Sequence, residues 1–154
     1  VRPFNITGPS QNGKLGFILP RFVEQCYSNK PITVYNNGKQ KRTFTHVSDF
    51  VDAIFLIMES DSNGEIFNVG NPKNTINIIS LAKKIKKITN SKSKIVHLKP
   101  EKFFKDFAEA WNKIPNVDKL KKLTGWKPRY SIDDILKEIP TLKKSYYLSR
   151  KKDD

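Results

Sequence analysis

The sequence predicts an α/β fold, and three observations carry that prediction. Short β-rich runs alternate with segments whose apolar residues recur at helical spacing. Clusters of Gly, Pro and Asn separate these runs. The strands are too few for an independent doubly wound sheet, so the chain reads as a portion of a larger α/β architecture. With 154 residues it can hold one compact domain with a modest core.

Val1–Asn5 reads as a strand, in which Pro3 lacks a ladder N–H and is awkward at a central position. The Gly- and Asn-rich stretch from Ile6 to Gly16 reads as a loop. Phe17, Ile18, Phe22, Val23, Cys26 and Tyr27 then repeat at helical spacing, with Pro20 near the first turn and Lys30-Pro31 as the stop. Ile32–Tyr35 and Thr43–Val47 flank Asn36-Asn37-Gly38, a pattern that predicts a hairpin. Ser48 is the expected N-cap of a helix whose apolar face is Phe50, Val51, Ile54, Phe55 and Met58, ending at Asn63-Gly64.

Glu65–Val69 reads as a buried strand, followed by the turn Gly70-Asn71-Pro72. A helix from Asn77 to Thr89 carries Ile78, Leu81, Ala82, Ile85 and Ile88, and Lys94–Leu98 is a strand. Phe103, Phe104, Phe107 and Trp111 suggest a short amphipathic helix made for packing. Asn116 opens a helix that ends at Thr124-Gly125. Ser131, Asp133 and Asp134 open a last helix to about Leu148, kinked or broken by Pro140. Residues 1–149 are expected to form the folded region and 150–154 a disordered tail.

Composition narrows the function classes. No apolar run approaches the roughly 20 residues of a membrane span. No signal-peptide pattern opens the chain, which begins instead on a strand-like segment, as a fragment or processed chain would. The single cysteine, Cys26, excludes an internal disulfide and falls in an apolar helical pattern, as a buried inert thiol. Nothing signals an oxidising compartment, so a cytoplasmic location is the default.

With 29 Lys and Arg against 15 Asp and Glu, the net charge is +14, which suggests an anionic partner. The lysines are spread along solvated helix faces, and no zinc-ligand spacing, RNA-recognition motif or helix-turn-helix accompanies them. The expected partner is therefore neither nucleic acid nor membrane.

Catalytic signatures are sparse. No Gly-rich turn joins a strand to a helix. Neither Tyr27 with Lys30 nor Tyr35 with Lys39 is taken as a Tyr-x-x-x-Lys pair, so no catalytic residue is assigned. His46 and His97 read as structural, and no metal-ligand or Ser/His/Asp set stands out. Asp133 and Asp134 read as helix-dipole charges. The chain does offer donors for phosphate. Arg42 comes after a basic turn and has a guanidinium that forks onto two oxygens. Asn5 ends a strand at a Gly-containing loop, and Lys113 lies in a loop before a helix.

The order of these signals resembles one family. Arg2-Pro-Phe-Asn-Ile-Thr-Gly-Pro9 resembles the R-x-F-N-x-Y/T-G-P segment of extended short-chain dehydrogenases/reductases, the NAD-dependent epimerase/dehydratase family. Pro31 to Asp49 resembles P-x-x-V-Y-G-x-G-x-Q-x-R-x-F-x-x-V-x-D. Phe67-Asn-Val-Gly70 and the blocks Pro115–Asp118 and Gly125–Pro128 come next in family order. Within the family, UDP-glucuronate decarboxylases look most similar.

The resemblance implies the C-terminal part of a Rossmann-type enzyme: its last sheet strands plus the small mixed α/β substrate domain. It implies binding of a UDP- or dTDP-sugar, with NAD held mainly by the N-terminal half and a homodimer in the full-length enzyme. Asn5 and Arg42 would bind the diphosphate, and Lys113 would stand in for a family Arg, keeping the charge but losing the fork. Phe17, Arg21, Thr33 and Tyr35 would line the nucleotide pocket, and Pro3 and Phe4 would approach the nicotinamide. In such enzymes hydride passes from sugar C4 to NAD+. Epimerase, dehydratase and decarboxylase remain open. So do a stand-alone nucleotide-sugar-binding module and a basic nucleic-acid-associated protein.

Overall fold

Parallel strand pairing, joined by helical crossovers, organises the chain. The computed structural model describes residues 1–9, 11, 16–99 and 108–138. The strands are β1 (Arg2–Pro3), β2 (Ile6–Thr7), β3 (Ile32–Tyr35), β4 (Lys41–Thr43), β5 (Thr45–His46), β6 (Asn68–Val69), β7 (Thr75–Asn77), β8 (Ile95–Leu98) and β9 (Asn112–Lys113). The helices are α1 (Ile18–Tyr27), α2 (Val47–Met58), α3 (Ile78–Ile88), α4 (Asp118–Thr124) and α5 (Ile132–Glu138). Most of the expected Phe103–Trp111 helix, the Pro140 break and the tail lie outside the described residues. The chain divides into two compact units. One is Val1–Gly8, Lys41–Ile76 and Asn112–Ile135; the other is Pro9–Gln40, Asn77–Trp111 and Leu136–Asp154.

In the first unit, β1 runs parallel to β6, with Arg2 opposite Asn68 and Pro3 opposite Val69. The Arg2 and Phe4 amides donate to Phe67 and Val69 carbonyls at 2.7 and 3.0 Å. Donors alternate along a strand, so Pro3 falls where β6 needs no N–H. Ile6–Thr7, expected to be loop, is strand β2, parallel to β5. Gly70 marks a close approach: a Cβ there would sit 2.7 Å from Pro115 and 2.9 Å from Phe4. This explains a glycine directly after Asn68-Val69.

α2 starts two residues earlier than the sequence suggests. Its N-cap is His46, whose Nδ1 accepts from the Ser48 amide at 3.1 Å, in place of the expected Ser48 cap. The imidazole is buried and stacked on Tyr130, with ring centroids 3.9 Å apart. Asp49, in the first turn, is fully buried. Its two carboxylate oxygens accept from the Arg129 and Tyr130 amides at 2.8 and 3.1 Å, and its carbonyl accepts from Trp126 Nε1 at 3.0 Å. Trp126, Val117 and Leu120 in turn pack with Ala53, Phe67 and Val69 in one apolar cluster, against which Phe50, Leu56 and Ile57 rest. The expected apolar face of α2 is therefore rotated: Val51, Phe55 and Met58 are exposed.

In the second unit, β3 runs parallel to β8, from Ile32 opposite Ile95 to Tyr35 opposite Leu98. α1 and α3 pack together and against β3, burying Phe22, Val23 and Cys26 from one and Ile78, Leu81 and Ile85 from the other. Cys26 is buried as expected, and burial pushes its thiol pKa up. Phe17 instead precedes α1 and is exposed.

The hairpin expected around Asn36-Asn37-Gly38 does not form, since β3 pairs with β8 whereas β4 lies between β7 and β9. The turn itself is present, with positive φ at Asn36 and Gly38. The carbonyls at its end are claimed by α3: Gly38 and Gln40 accept from the Ile79 and Ile78 amides at 3.0 and 3.1 Å. Gly38 is required there, because a Cβ would come within 2.9 Å of both Val34 and Ile79.

α3 is capped by Asn77, whose side chain accepts from the Ser80 amide, and α5 by a reciprocal Ser131–Asp134 pair. Among the described residues no helix is long and apolar enough to cross a membrane.

Asp49→Asn should lower stability by about 1–3 kcal/mol, because an amide cannot accept both backbone bonds in a buried site. Asp52→Asn, which loses only an exposed pairing with Arg129, should cost under about 1 kcal/mol. Urea denaturation of the two variants checks the contrast, and equal effects would remove the clamp role from Asp49.

Candidate functional site

The residues expected to bind ligand fall into two clusters, one in each unit. The first is built by β4 and its neighbours. β4 is parallel to β9, with Lys41 opposite Asn112 and Arg42 opposite Lys113. Lys113, expected in a loop, is thus in a strand. Paired residues of a parallel ladder point to the same face, so two cationic side chains stand side by side. Arg42 is half-buried and Lys113 exposed. Arg42 Nη1 donates to its neighbour's carbonyl, Lys41, at 2.8 Å.

Asn5 joins this cluster through the backbone. Its φ is +40°, a left-handed conformation that Asn tolerates better than most residues. Its Nδ2 donates to the Thr43 carbonyl at 2.8 Å. Thr43 Oγ1 lies 2.8 Å from Thr75 Oγ1 and donates to the Lys113 carbonyl at 3.2 Å. Asn5 and Lys113 are therefore both held by Thr43, the residue next to Arg42. Pro3 and Phe4 lead into Asn5, but the Phe4 N–H is already given to Val69, and its carbonyl accepts from Thr45 Oγ1 at 3.0 Å. Phe4 has no backbone donor left for a cofactor.

The second cluster joins the start of α1 to β3. Arg21 Nη2 donates to the Thr33 carbonyl at 3.3 Å, and its guanidinium lies 5.3 Å from the Tyr35 ring centroid. Arg21 Nε is buried without a hydrogen-bond partner. Thr33 is occupied structurally: Gln25 Oε1 accepts its amide and Gln25 Nε2 donates to its hydroxyl. Phe17 stands one turn before Arg21, whose amide it accepts at 3.1 Å.

Two findings revise the expectations from sequence. Tyr35 and Lys39, not taken as a pair above, do have Tyr-x-x-x-Lys spacing. That spacing stacks side chains only on a helix. Here Tyr35 ends a strand and Lys39 comes after a turn, so no helical pair results. The second unit also holds an unexpected cavity of about 880 Å³. It is lined by Asn36, Asn37, His97, Leu98, Lys99, Glu109 and Trp111. His97 Nδ1 is 2.7 Å from the Asn36 carbonyl. Only the β3–β8 register brings His97 to Asn36, and no local pattern encodes that register. Among the described residues no group of His, Cys, Asp or Glu could hold a metal ion.

The chain is similar to known proteins of one family. The model of the NAD dependent epimerase/dehydratase family matches residues 1–70. A UDP-N-acetyl-alpha-D-glucosaminuronate decarboxylase of Bacillus cytotoxicus is 40% identical over 140 residues, covering 90% of this chain and 43% of that protein. UDP-glucuronic acid decarboxylase 1 of Arabidopsis thaliana is 33% identical, covering 88% of this chain and 30% of that protein. The UDP-glucose 4-epimerase of Thermotoga maritima, solved with UDP-glucose, aligns with a TM-score of 0.78 at 28% identity, over 99% of this chain and 46% of that one. A dTDP-glucose 4,6-dehydratase of Bacillus anthracis shares the fold, with a TM-score of 0.79 at 22% identity over 97% of this chain and 44% of that one. The chain spans less than half the length of these relatives.

Facing like charges weaken a ladder, so Lys113→Gln should raise ligand-free stability by roughly 0.2–1 kcal/mol at low salt. Denaturation midpoints measured at low and high salt check this, with the gain expected to shrink as salt screens the pair.

Proposed function

The chain belongs to the NAD-dependent epimerase/dehydratase family, and from that premise we propose that it is the nucleotide-sugar-binding part of an epimerase, dehydratase or decarboxylase. The observation that carries this reading is Arg42 opposite Lys113, tied through Thr43 to Asn5. Two fixed cations on one strand face suit a diphosphate, which turns their mutual repulsion into shared attraction. Asn5 has a second amide hydrogen beyond the one given to Thr43. The ligand class is a UDP- or dTDP-sugar. Arg21, Tyr35, Phe17 and Thr33 are assigned to the nucleoside, and the unpartnered Arg21 Nε supports that assignment.

NAD fits the described residues poorly. The sequence has no Gly-rich βα turn, and the Phe4 N–H is engaged inside the fold. The cofactor would be held mainly by the portion of the family fold that this chain does not match, with Pro3 and Phe4 at its margin. No catalytic step is assigned to residues of this chain. The complete enzyme would work in the cytoplasm as a homodimer.

Calorimetry with UDP-glucuronate tests the reading. Arg42→Ala should weaken binding by about 1.5–3 kcal/mol, as loss of a charged hydrogen bond does. Lys113→Arg should tighten it by restoring a bidentate donor. Unchanged affinity in both variants would remove the diphosphate from this strand face.

A further inference from the structure

From Ile66 to Pro100 the chain has eight lysines and neither aspartate nor glutamate. By sequence these lysines are spread over solvated helix faces; the fold gathers most of them at one end of the second unit. α1 and α3 end alike, each followed by an asparagine at positive φ, Asn29 and Asn90. The amides of Lys30 and Ser91, one residue further on, donate back to the Gln25 and Lys86 carbonyls at 2.9 and 3.0 Å, the bond that closes a Schellman turn. The Gln25 carbonyl also accepts from Ser93 Oγ at 3.3 Å, and the Lys94 carbonyl accepts from the Ile32 amide at 2.8 Å. These bonds bring Lys30, Lys86, Lys87, Lys92 and Lys94 together, and Lys83 lies one turn before Lys87 on the same side of α3. Lys86 is half-buried and the other five are exposed. None of the six is held in an ion pair among the described residues, and the one acid of α1 is Glu24.

Lysine in a last helical turn offsets the negative end of the helix, which accounts for Lys86 and Lys87. It does not account for Lys92 and Lys94, which lie beyond the helix. Lys83 and Lys87 are moreover a like-charge pair at i and i+4, which weakens α3. A surplus kept at a cost to folding points to an anionic partner. The patch is remote from the nucleotide cluster. It sits where β3 and β8 begin, at Ile32 and Ile95, whereas Tyr35 and the His97 cavity lie where these strands end. A four-residue strand sets the two ends about 10 Å apart. Its chemistry differs as well. It holds no arginine to fork onto a single phosphate, and the ring beside it, Tyr27, is half-buried and not laid open for a base. Lysine ammoniums are compact, hydrated charges suited to a diffuse negative surface. Among them Ile88 is 38% exposed and offers an apolar contact. We propose that this lysine-rich end of the second unit docks on an anionic phospholipid surface. No residue of the patch belongs to the nucleotide-sugar site, so the inference stands apart from that reading.

The test is co-sedimentation of the whole chain with vesicles of equal parts phosphatidylglycerol and phosphatidylcholine, and with vesicles of phosphatidylcholine alone. Binding is expected to the first and not to the second, and it should fall as salt is raised. Lys87→Gln combined with Lys92→Gln should weaken it about tenfold or more. Lys121→Gln combined with Lys122→Gln, an equal loss of charge on α4, should leave it unchanged. All four lysines are exposed, so each double variant should keep the fold, which circular dichroism checks. Lys30→Gln with Lys94→Gln replaces the first pair if that variant does not fold. Absence of binding to the anionic vesicles overturns the proposal. Equal weakening by the patch pair and the α4 pair does the same, because the attraction is then a matter of total charge. A DNA duplex that displaces the vesicles, and whose own binding is lost with Lys87 and Lys92, also overturns it, since the partner is then nucleic acid.

Discussion

The buried carboxylate of Asp49 is the constraint on which the first unit depends. A carboxyl group out of water is tolerable only when its oxygens find hydrogen-bond partners. Here two consecutive amides, Arg129 and Tyr130, serve that purpose, and Trp126 donates to the same residue's carbonyl. The consequences spread from Tyr130. Its carbonyl accepts from the side chains of Asn71 and Asn74 at 3.0 and 2.9 Å, and its ring lies on His46, the cap of α2. The start of α2, the turn after β6 and the approach to α5 thus form one circuit. It also explains physically why an Asp at the end of one sequence block accompanies a Gly-Trp in another: the two blocks complete each other's hydrogen bonds.

That circuit fixes the strands that present the cations. Thr45 belongs to β5, directly after the β4 segment. Its hydroxyl donates to Phe4 and accepts from the Asn71 amide at 3.1 Å. Thr43, two residues earlier, holds Asn5 and the Lys113 carbonyl. The backbone therefore determines where Arg42 and Lys113 stand. The diphosphate site proposed here would be preorganised: the cost of placing like charges together is met during folding by hydrogen bonds elsewhere, and a ligand would gain from it.

Legibility from sequence tracked the range of the interactions involved. α1, α3, α4 and the start of α5 were readable because helical spacing and caps are local, as with Asn77 before α3 and the Ser131–Asp134 pair before α5. The burial of Cys26 was readable for the same reason. Pairing was not. An Asn-Asn-Gly turn between two β-rich runs has the local signature of a hairpin, yet α3 claims the carbonyls after it. Strand β2 was hidden because two residues carry no period. The apolar face of α2 was misassigned because a helix apolar nearly all round has no single face to read. Only contact with Phe67 and Trp126 selects the Ala53 side.

The α/β class, most helices, the absence of a Gly-rich turn and the family of the ordered blocks are all written in the amino-acid order. Each of these depends on residues close together in the chain. Folding in three dimensions was needed to join β3 to β8, to make His46 and not Ser48 the cap of α2, to bring His97 and Trp111 to one cavity, and to stand Lys113 opposite Arg42. Most of these arrangements join residues tens of positions apart. Their register is set by packing and backbone hydrogen bonds that no local pattern encodes.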